Sequence, residues 1–393
     1  MSLQILNSEG APFHDTVAPG LDPINTGKTK LVYPFQKGVL AIVHKDIITA
    51  NDNPIYTGDA PGKGTASAYS SALLFKRIAA RGIPTAHIGI LNSNTTLDRS
   101  LDMLPFEIIW RRYNVEGNSW MKRNPGNKYE TGERYDEVIY EACLKWSVKT
   151  ISGEIVHDPF LMLDENFEPQ LRSDGMPRLM HSKNNTELEY TEVIHPNKGG
   201  EMSPEAVKAA ITLFITHAAN IRKMTEVVQE TTLETYGEIG RLNADGKIEV
   251  GLDQSGKLTL GDELELDSLR NMSIRTAEMN DGTRSVLGDE GLIGIPLSEI
   301  ISGGSDNVRR IVEAYHSGKQ VYRDRMKMVD SNMAGMQGEY GTREDLDQIY
   351  MNVRRGMNNA MAQFTTDMIY VPVARALSER FSQEVGYRLT HIA

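Results

Sequence analysis

The chain has 393 residues, 40% of them hydrophobic and 24% charged, with a formal net charge of −11. At roughly 100–200 residues per domain that is two or three domains, and the acidic balance argues against a general nucleic-acid or anionic-membrane binder. The single cysteine, Cys143, excludes an intramolecular disulfide and a thiolate metal cluster. No apolar run nears the ~18 residues of a membrane span, and the first residues lack the regions of a signal peptide. The expectation is a cytoplasmic protein that binds neither nucleic acid nor membrane, with homo-oligomerisation open.

In chain order, residues 1–24 mix polar residues with Gly and Pro and are expected to form an irregular N-terminal extension. Gly27 to His44 holds two β-rich runs around a short Pro- and Gly-containing turn, a β-hairpin. A polar loop with Asp46, Asp52 and Pro61-Gly62-Lys63-Gly64 leads to a helix from about Thr65 to Ala80, apolar at Leu73, Leu74 and Ile78. Strands are expected over Ile83–Ile90 and Pro105–Tyr113. Residues 121–200 are polar and rich in Gly, Asn and Pro; insertions are expected there, with short structured pieces such as Glu137–Val148.

Ser203, Pro204 and Glu205 open a helix, and Val207, Ile211, Phe214, Ala218 and Ile221 form its apolar stripe. Residues 246–264 read as a second hairpin turning at Gln254-Ser255-Gly256. The C-terminal third is expected to be mainly helical, over about Asn307–Val329 and Thr342–Met368, the latter opening with a Thr342…Asp345 pair like a capping box. Strands in hairpins rather than in alternation with helices favour α+β. The expected division is a small β-rich domain at 25–104, a larger α+β domain at 105–330, and a C-terminal helical extension at 331–393.

The glycine–lysine stretches fail as P-loops. The glycine preceding Gly27-Lys28-Thr29 is Gly20, too far back, and Gly64 follows Lys63 where Ser or Thr is required. Lys28 and Lys30 on one strand face would suit a polyphosphate, although a solvated strand face is the simpler reading of that pair alone. Asp245, Lys247 and Glu249 alternate with Gly246, Ile248 and Val250, and the paired strand ends at Gly261-Asp262-Glu263. Glu249 beside Asp262 would give Mg2+ two hard oxygen donors; cross-strand charge pairs on a surface hairpin explain the same pattern. Arg270, after Asp267 and Ser268, offers a planar fork for a phosphate or carboxylate, while Asp267 and Ser268 also read as caps. Arg111 ends an apolar strand, either at an anion site or paired with a carboxylate such as Glu107.

Taken in order, these pieces resemble the phosphoribosylaminoimidazole-succinocarboxamide (SAICAR) synthase family. Gly27, Lys28, Lys30, Val32 and Tyr33 match its Gly-Lys-x-Lys-x-Val-Tyr element, and Pro61 to Gly64 its Pro-Gly-Lys-Gly. Leu104, Pro105, Glu107 and Arg111 match its Leu-Pro-x-Glu strand ending in Arg. Residues 245–251 match its Asp-x-Lys-x-Glu-x-Gly signature, and 261–263 and 267–270 its Gly-Asp-Glu and Asp-Ser-x-Arg elements. The resemblance implies an ATP-grasp-like fold with the nucleotide between a small β-rich and a larger α+β domain. It implies an ATP- and Mg2+-dependent ligase of purine biosynthesis that joins L-aspartate to carboxyaminoimidazole ribotide through an acyl phosphate. On that basis Lys28, Thr29, Lys30, Val32 and Lys247 would hold ATP, and Glu249 and Asp262 the Mg2+. Arg111, Ser119 and Arg270 would hold the ribotide phosphate, with Asp52, Lys63, Asp267 and Ser268 also on the substrate side.

The chain departs from the pattern in two loops. Ile47 follows Asp46 where the family has arginine, and the stretch from Arg111 to Ser119 is two residues longer than usual, with Glu116 added. These changes keep two alternatives in view: a same-fold ligase for a different carboxylate or amine, and a non-catalytic nucleotide-binding homologue.

Overall fold

The two β-rich runs near the N-terminus pair with each other because a glycine sits where the chain must reverse. In the computed structural model of the protein, Lys30–Gln36 lies antiparallel to Val39–His44, and Gly38 takes φ +74° between them, a conformation glycine adopts without a Cβ clash. The structure describes residues 2–7, 9, 21–50, 53–115, 118–195, 200–274, 276–278, 284–288, 291–296, 312–316, 318–340 and 344–392. The hairpin belongs to a five-stranded sheet ordered Asn25–Thr26, Lys30–Gln36, Val39–His44, Thr95–Arg99, His87–Asn92. The strand expected over 83–90 therefore begins only at His87. The residues before it bond elsewhere: Ala86 N donates to Leu260 O at 2.8 Å and Leu260 N to Pro84 O at 2.9 Å, which ties this sheet to the next.

Helix Lys63–Ala80 packs across the five-stranded sheet and buries Leu73, Leu74, Phe75 and Ile78. It starts two residues before the expected Thr65. Its Gly64 N–H is taken by Asp46 Oδ1 at 2.7 Å, a carboxylate where the helix dipole favours one.

The second sheet has eight strands. Its centre is Asp102–Tyr113, flanked by Arg134–Leu144 and Arg241–Leu252, with Leu269–Ile274 beyond. Leu258–Gly261 pairs with Arg241–Leu252, and Asp253 to Lys257 turns that hairpin as expected. Residues 121–200 are not merely inserted loops, since Arg134–Leu144 is one of the strands flanking the centre. Helix Pro204–Gly237 lies on this sheet. Ser203 caps it, accepting from Ala206 N at 3.2 Å, and all five residues of its apolar stripe are buried. Phe214 meets Phe106 edge to face at 5.0 Å; burying a side chain of that size is worth ~1.5–3 kcal/mol.

The C-terminal part differs more from expectation. Within the helix expected over 307–329, Val312–His316 is a strand on Leu269–Ile274, and 307–311 lie outside the described residues. Val-Glu-Ala-Tyr-His alternates apolar and polar at its start, a period of two that suits a sheet edge. Helices Gly318–Tyr340 and Glu344–Thr365 follow, then a π-helical turn Thr366–Tyr370, helix Val371–Val385 and strand Tyr387–Ile392. Thr342 of the expected capping pair lies outside the described residues. The final strand pairs with Ser2–Asn7, so the supposedly irregular lead-in contributes a strand. Among the described residues no helix is long and apolar enough to cross a membrane.

Candidate active site

Three central strands present one face to the site. Antiparallel pairing sets Arg111 opposite Asp245 and Glu107 opposite Glu249, and side chains two apart share a face. Asp245, Lys247 and Glu249 therefore line one row, with its two ends about 13 Å apart at ~3.3 Å per residue. Each end holds a cluster of charge.

At one end lie Glu249, Lys247 and Asp262. Glu249 is opposite Gly261 in the hairpin, so Asp262 follows at once. Asp262 takes φ +57°, a left-handed conformation that aspartate tolerates better than most residues, and its carboxylate bonds to Lys30 Nζ. Lys30 is also 3.6 Å from Glu263, whose other oxygen is 3.5 Å from His44 Nδ1. Lys247 reaches Glu107 at 2.5 Å and lies 4.0 Å from Glu249, while Lys145 bonds Glu249 at 2.6 Å. Burial, and next the charge of Asp262, push the Glu249 carboxyl up to about 7. Burial alone would raise Asp262 too, but Lys30 and Lys247 together outweigh it and hold that carboxyl below its usual range. Burial likewise opposes the charge on Lys247, and Glu107 and Glu249 more than restore it.

Lys28 lies before the strand rather than on it, since the strand begins at Lys30. The shared strand face expected for the two lysines therefore does not form. Lys28 is exposed, whereas Lys30 turns inward to Asp262. Thr29 lies in the same turn, where its carbonyl accepts from Lys45 N at 2.8 Å, and Val32 is half-buried in the strand.

At the other end Arg111 and Arg270 meet at Asp245, and Ser119 joins them through Arg111. Arg111 donates to Glu141 at 2.8 Å, to Ser119 Oγ at 3.0 Å and to Asp245 at 3.4 Å. Arg270 donates to Asp245 through Nε at 2.7 Å and through Nη2. Arg123 bonds the second oxygen of Glu141. Glu107 pairs with Lys247, not with Arg111. Despite the longer loop, Ser119 still meets Arg111; residues 116 and 117 lie outside the described residues, as does Asp52.

Between the ends, the segment from Asp262 to Ser268 is held to the N-terminal part of the chain. Ser67 Oγ donates to Glu265 at 3.1 Å, Ser71 Oγ accepts from Leu264 N at 3.1 Å, and Lys63 donates to Asp267 Oδ2 at 2.8 Å. Ser268 Oγ bonds within the turn, to Glu265 N at 3.0 Å and Glu263 O at 3.2 Å, which is the capping alternative. The sequence reading missed Lys145, Glu141, Arg123 and Tyr370, the last bonded to Asp267. Period-two alternation would have placed Glu141 with Arg111 once the pairing of Arg134–Leu144 was known; Tyr370 left no local signal.

The row Asp245-Lys247-Glu249 thus joins a cluster of lysines and carboxylates at one end to a cluster of arginines and carboxylates at the other. The family model of SAICAR synthetase matches residues 23–166 and 195–287, and the chain belongs to that family. It is 28% identical over 262 residues to the phosphoribosylaminoimidazole-succinocarboxamide synthase of Sulfolobus acidocaldarius, covering 65% of this chain and 86% of that one. It is 27% identical over 264 residues to the enzyme of the same name from Gloeobacter violaceus, covering 67% and 85%. A solved SAICAR synthase from Saccharomyces cerevisiae, complexed with SAICAR, aligns over 90% of this chain and 98% of its own, at 15% identity and TM-score 0.47. The family match is interrupted only at 167–194, a narrower span than the insertions expected over 121–200, and residues 288–393 lie beyond it.

Proposed function

We propose that this chain is an ATP-dependent ligase of purine biosynthesis that joins L-aspartate to the carboxylate of carboxyaminoimidazole ribotide, yielding SAICAR, ADP and phosphate. The observation that carries the reading is the single strand face of Asp245, Lys247 and Glu249 within a chain of this family. One end of that face offers arginines for a ribotide phosphate, and the other offers lysines and carboxylates for a nucleotide polyphosphate.

Arg111, Arg270 and Ser119 hold the 5′-phosphate. Lys30 and Lys247, with the exposed Lys28, offset polyphosphate charge, and the nucleotide lies between the β-rich domain (25–104) and the α+β domain (105–330), in ATP-grasp-like fashion. Glu249 and Asp262 fit Mg2+ as hard donors. Burial, and next the charge of Asp262, raise the Glu249 carboxyl, and a cation would offset both. Among the described residues no group of three His, Cys, Asp or Glu could hold a metal alone, and Mg2+ characteristically completes its shell with phosphate oxygens and water. When bound, Mg2+ supplies charge neutralisation across the transferring phosphoryl group.

The protein's work is positioning and electrostatics. A carboxylate repels an amine, so the ribotide carboxylate first takes the γ-phosphoryl of ATP; the aspartate amine then attacks the acyl carbon, and phosphate leaves. Cys143 is not a nucleophile in this scheme. It is buried, and burial, with the nearby Glu107 next, pushes its thiol well above the usual value. The test is ATP turnover with carboxyaminoimidazole ribotide. ADP release that requires the ribotide, and SAICAR formation that also requires aspartate, supports the reading. ADP release indifferent to both overturns it.

A further inference from the structure

Tyr370 bonds to a carboxylate in the site from a part of the chain that the family match does not reach. Its hydroxyl donates to Asp267 Oδ1, while Lys63 Nζ donates to Oδ2 at 2.8 Å. The Lys63 ammonium also lies 5.2 Å from the centre of the Tyr370 ring, so the three side chains form one closed contact. Both Lys63 and Tyr370 are 1% exposed. Asp267 thus has a cation on one oxygen and a phenol on the other, and its carboxylate plane is fixed from two sides.

The backbone around Tyr370 is unusual in the same place. Glu344–Thr365 gives way to a π-helical turn, Thr366–Tyr370, before the helix resumes at Val371. A π-helical turn shifts the side chains that follow it and frequently accompanies functional sites. The preceding helix is anchored to the N-terminal part of the chain. Asn358 Nδ2 donates to Ile55 O at 2.7 Å, and Asn359 Nδ2 to Asp59 at 3.0 Å. The family match ends at residue 287, so the matched region does not supply this partner of Asp267.

We infer that Tyr370 is a positioning residue for the ribotide: through its bond to Asp267 it makes the C-terminal helical segment part of the substrate site. This rests on the proposed function and on the family resemblance, which puts Asp267 on the substrate side. Tyr370 acts through Asp267 and does not touch the reacting atoms. Burial, and next the charge of Asp267, push its phenol well above the usual value, so it remains a donor across the working range of pH.

The test uses Tyr370→Phe, which keeps the ring and removes only the donor. The expected result is a rise of about tenfold in KM for carboxyaminoimidazole ribotide, because Asp267 loses the donor that fixes its orientation and must be ordered when the ribotide binds. KM for ATP should stay within about twofold. In an Asp267→Asn background the same substitution should change ribotide KM by less than about twofold, because its target is already altered. A ribotide KM equal to wild type, or equal losses for ATP and ribotide, overturns the inference. Should Tyr370→Phe not fold, hydrogen exchange of the wild-type protein decides: saturating ribotide, and not ATP alone, should slow exchange at 366–373, and no slowing by ribotide overturns the inference. Wild-type protein without SAICAR-forming activity would instead overturn the proposed function.

Discussion

Replacing Lys63 with methionine removes a charge while keeping most of the volume. The Lys63 and Asp267 side chains are 2% and 3% exposed, with Nζ 2.8 Å from Oδ2. Breaking a buried pair by removing one partner costs ~3–5 kcal/mol, because the other charge is left without compensation. Tyr370 still donates to Asp267, so the expected loss is at the low end, about 3 kcal/mol. With a urea slope of roughly 3 kcal/mol/M, the unfolding midpoint should fall by about 1 M, read from the fluorescence of Trp110, Trp120 and Trp146. Adding Asp267→Asn removes the orphaned charge and should restore about half of the loss.

The pH dependence has a definite sign. Burial would lower the pKa of Lys63, but Asp267, Glu265 and Glu263 more than reverse this and raise it above the unfolded value. The stabilisation from a group raised in the folded state is complete below the unfolded pKa and fades only as pH rises through the folded one. The gap between wild type and Lys63→Met should therefore be flat from about pH 6 to about pH 9. A midpoint shift below about 0.3 M, or no recovery in the double variant, would refute the reasoning.

Arg111→Ala and Arg270→Ala should each weaken ribotide binding at least about tenfold, from ~1.5–3 kcal/mol per charged hydrogen bond, and leave ATP binding nearly unchanged in calorimetry. Loss of ATP affinity instead would reverse the assignment of the two ends. Glu249→Gln and Asp262→Asn should each abolish Mg2+-dependent turnover in a protein whose circular dichroism is unchanged; near wild-type rates in either would remove that residue from the site. Cys143→Ala should leave turnover largely intact, and the native thiol should resist alkylation at about pH 8, since it is buried and its pKa is raised well above the usual value. Rapid alkylation would contradict that placement.

Local patterns carried much of this fold. Ser203-Pro204 marked a helix start because cap chemistry is local, and the alternation from Asp245 to Gly251 marked a strand face because its period is two. Arg111 and Arg270, far apart in sequence, were drawn together by resemblance, and the sheet register brings both to one carboxylate, Asp245, while Ser119 joins them through Arg111. What escaped depends on distant partners. Arg134–Leu144 reads as polar because Glu137 and Glu141 interrupt its apolar residues, yet Glu141 is satisfied by Arg111 and Arg123 from other elements. Ser2–Asn7 is a strand only because Tyr387–Ile392 lies beside it. Lys28 and Lys30 share the spacing of a strand face, but the turn at Gly27 delays the strand to Lys30. Tyr370 reaches Asp267 across 103 residues of chain, a contact no short window contains.

The central claim is that the ribotide carboxylate is activated as an acyl phosphate on this chain. Carboxyaminoimidazole ribotide labelled with heavy oxygen in that carboxylate, incubated with ATP, Mg2+, aspartate and the protein, tests it most directly. The account predicts ADP as the nucleotide product and one labelled oxygen in the released phosphate. Release of AMP and pyrophosphate, or phosphate free of label, would contradict it.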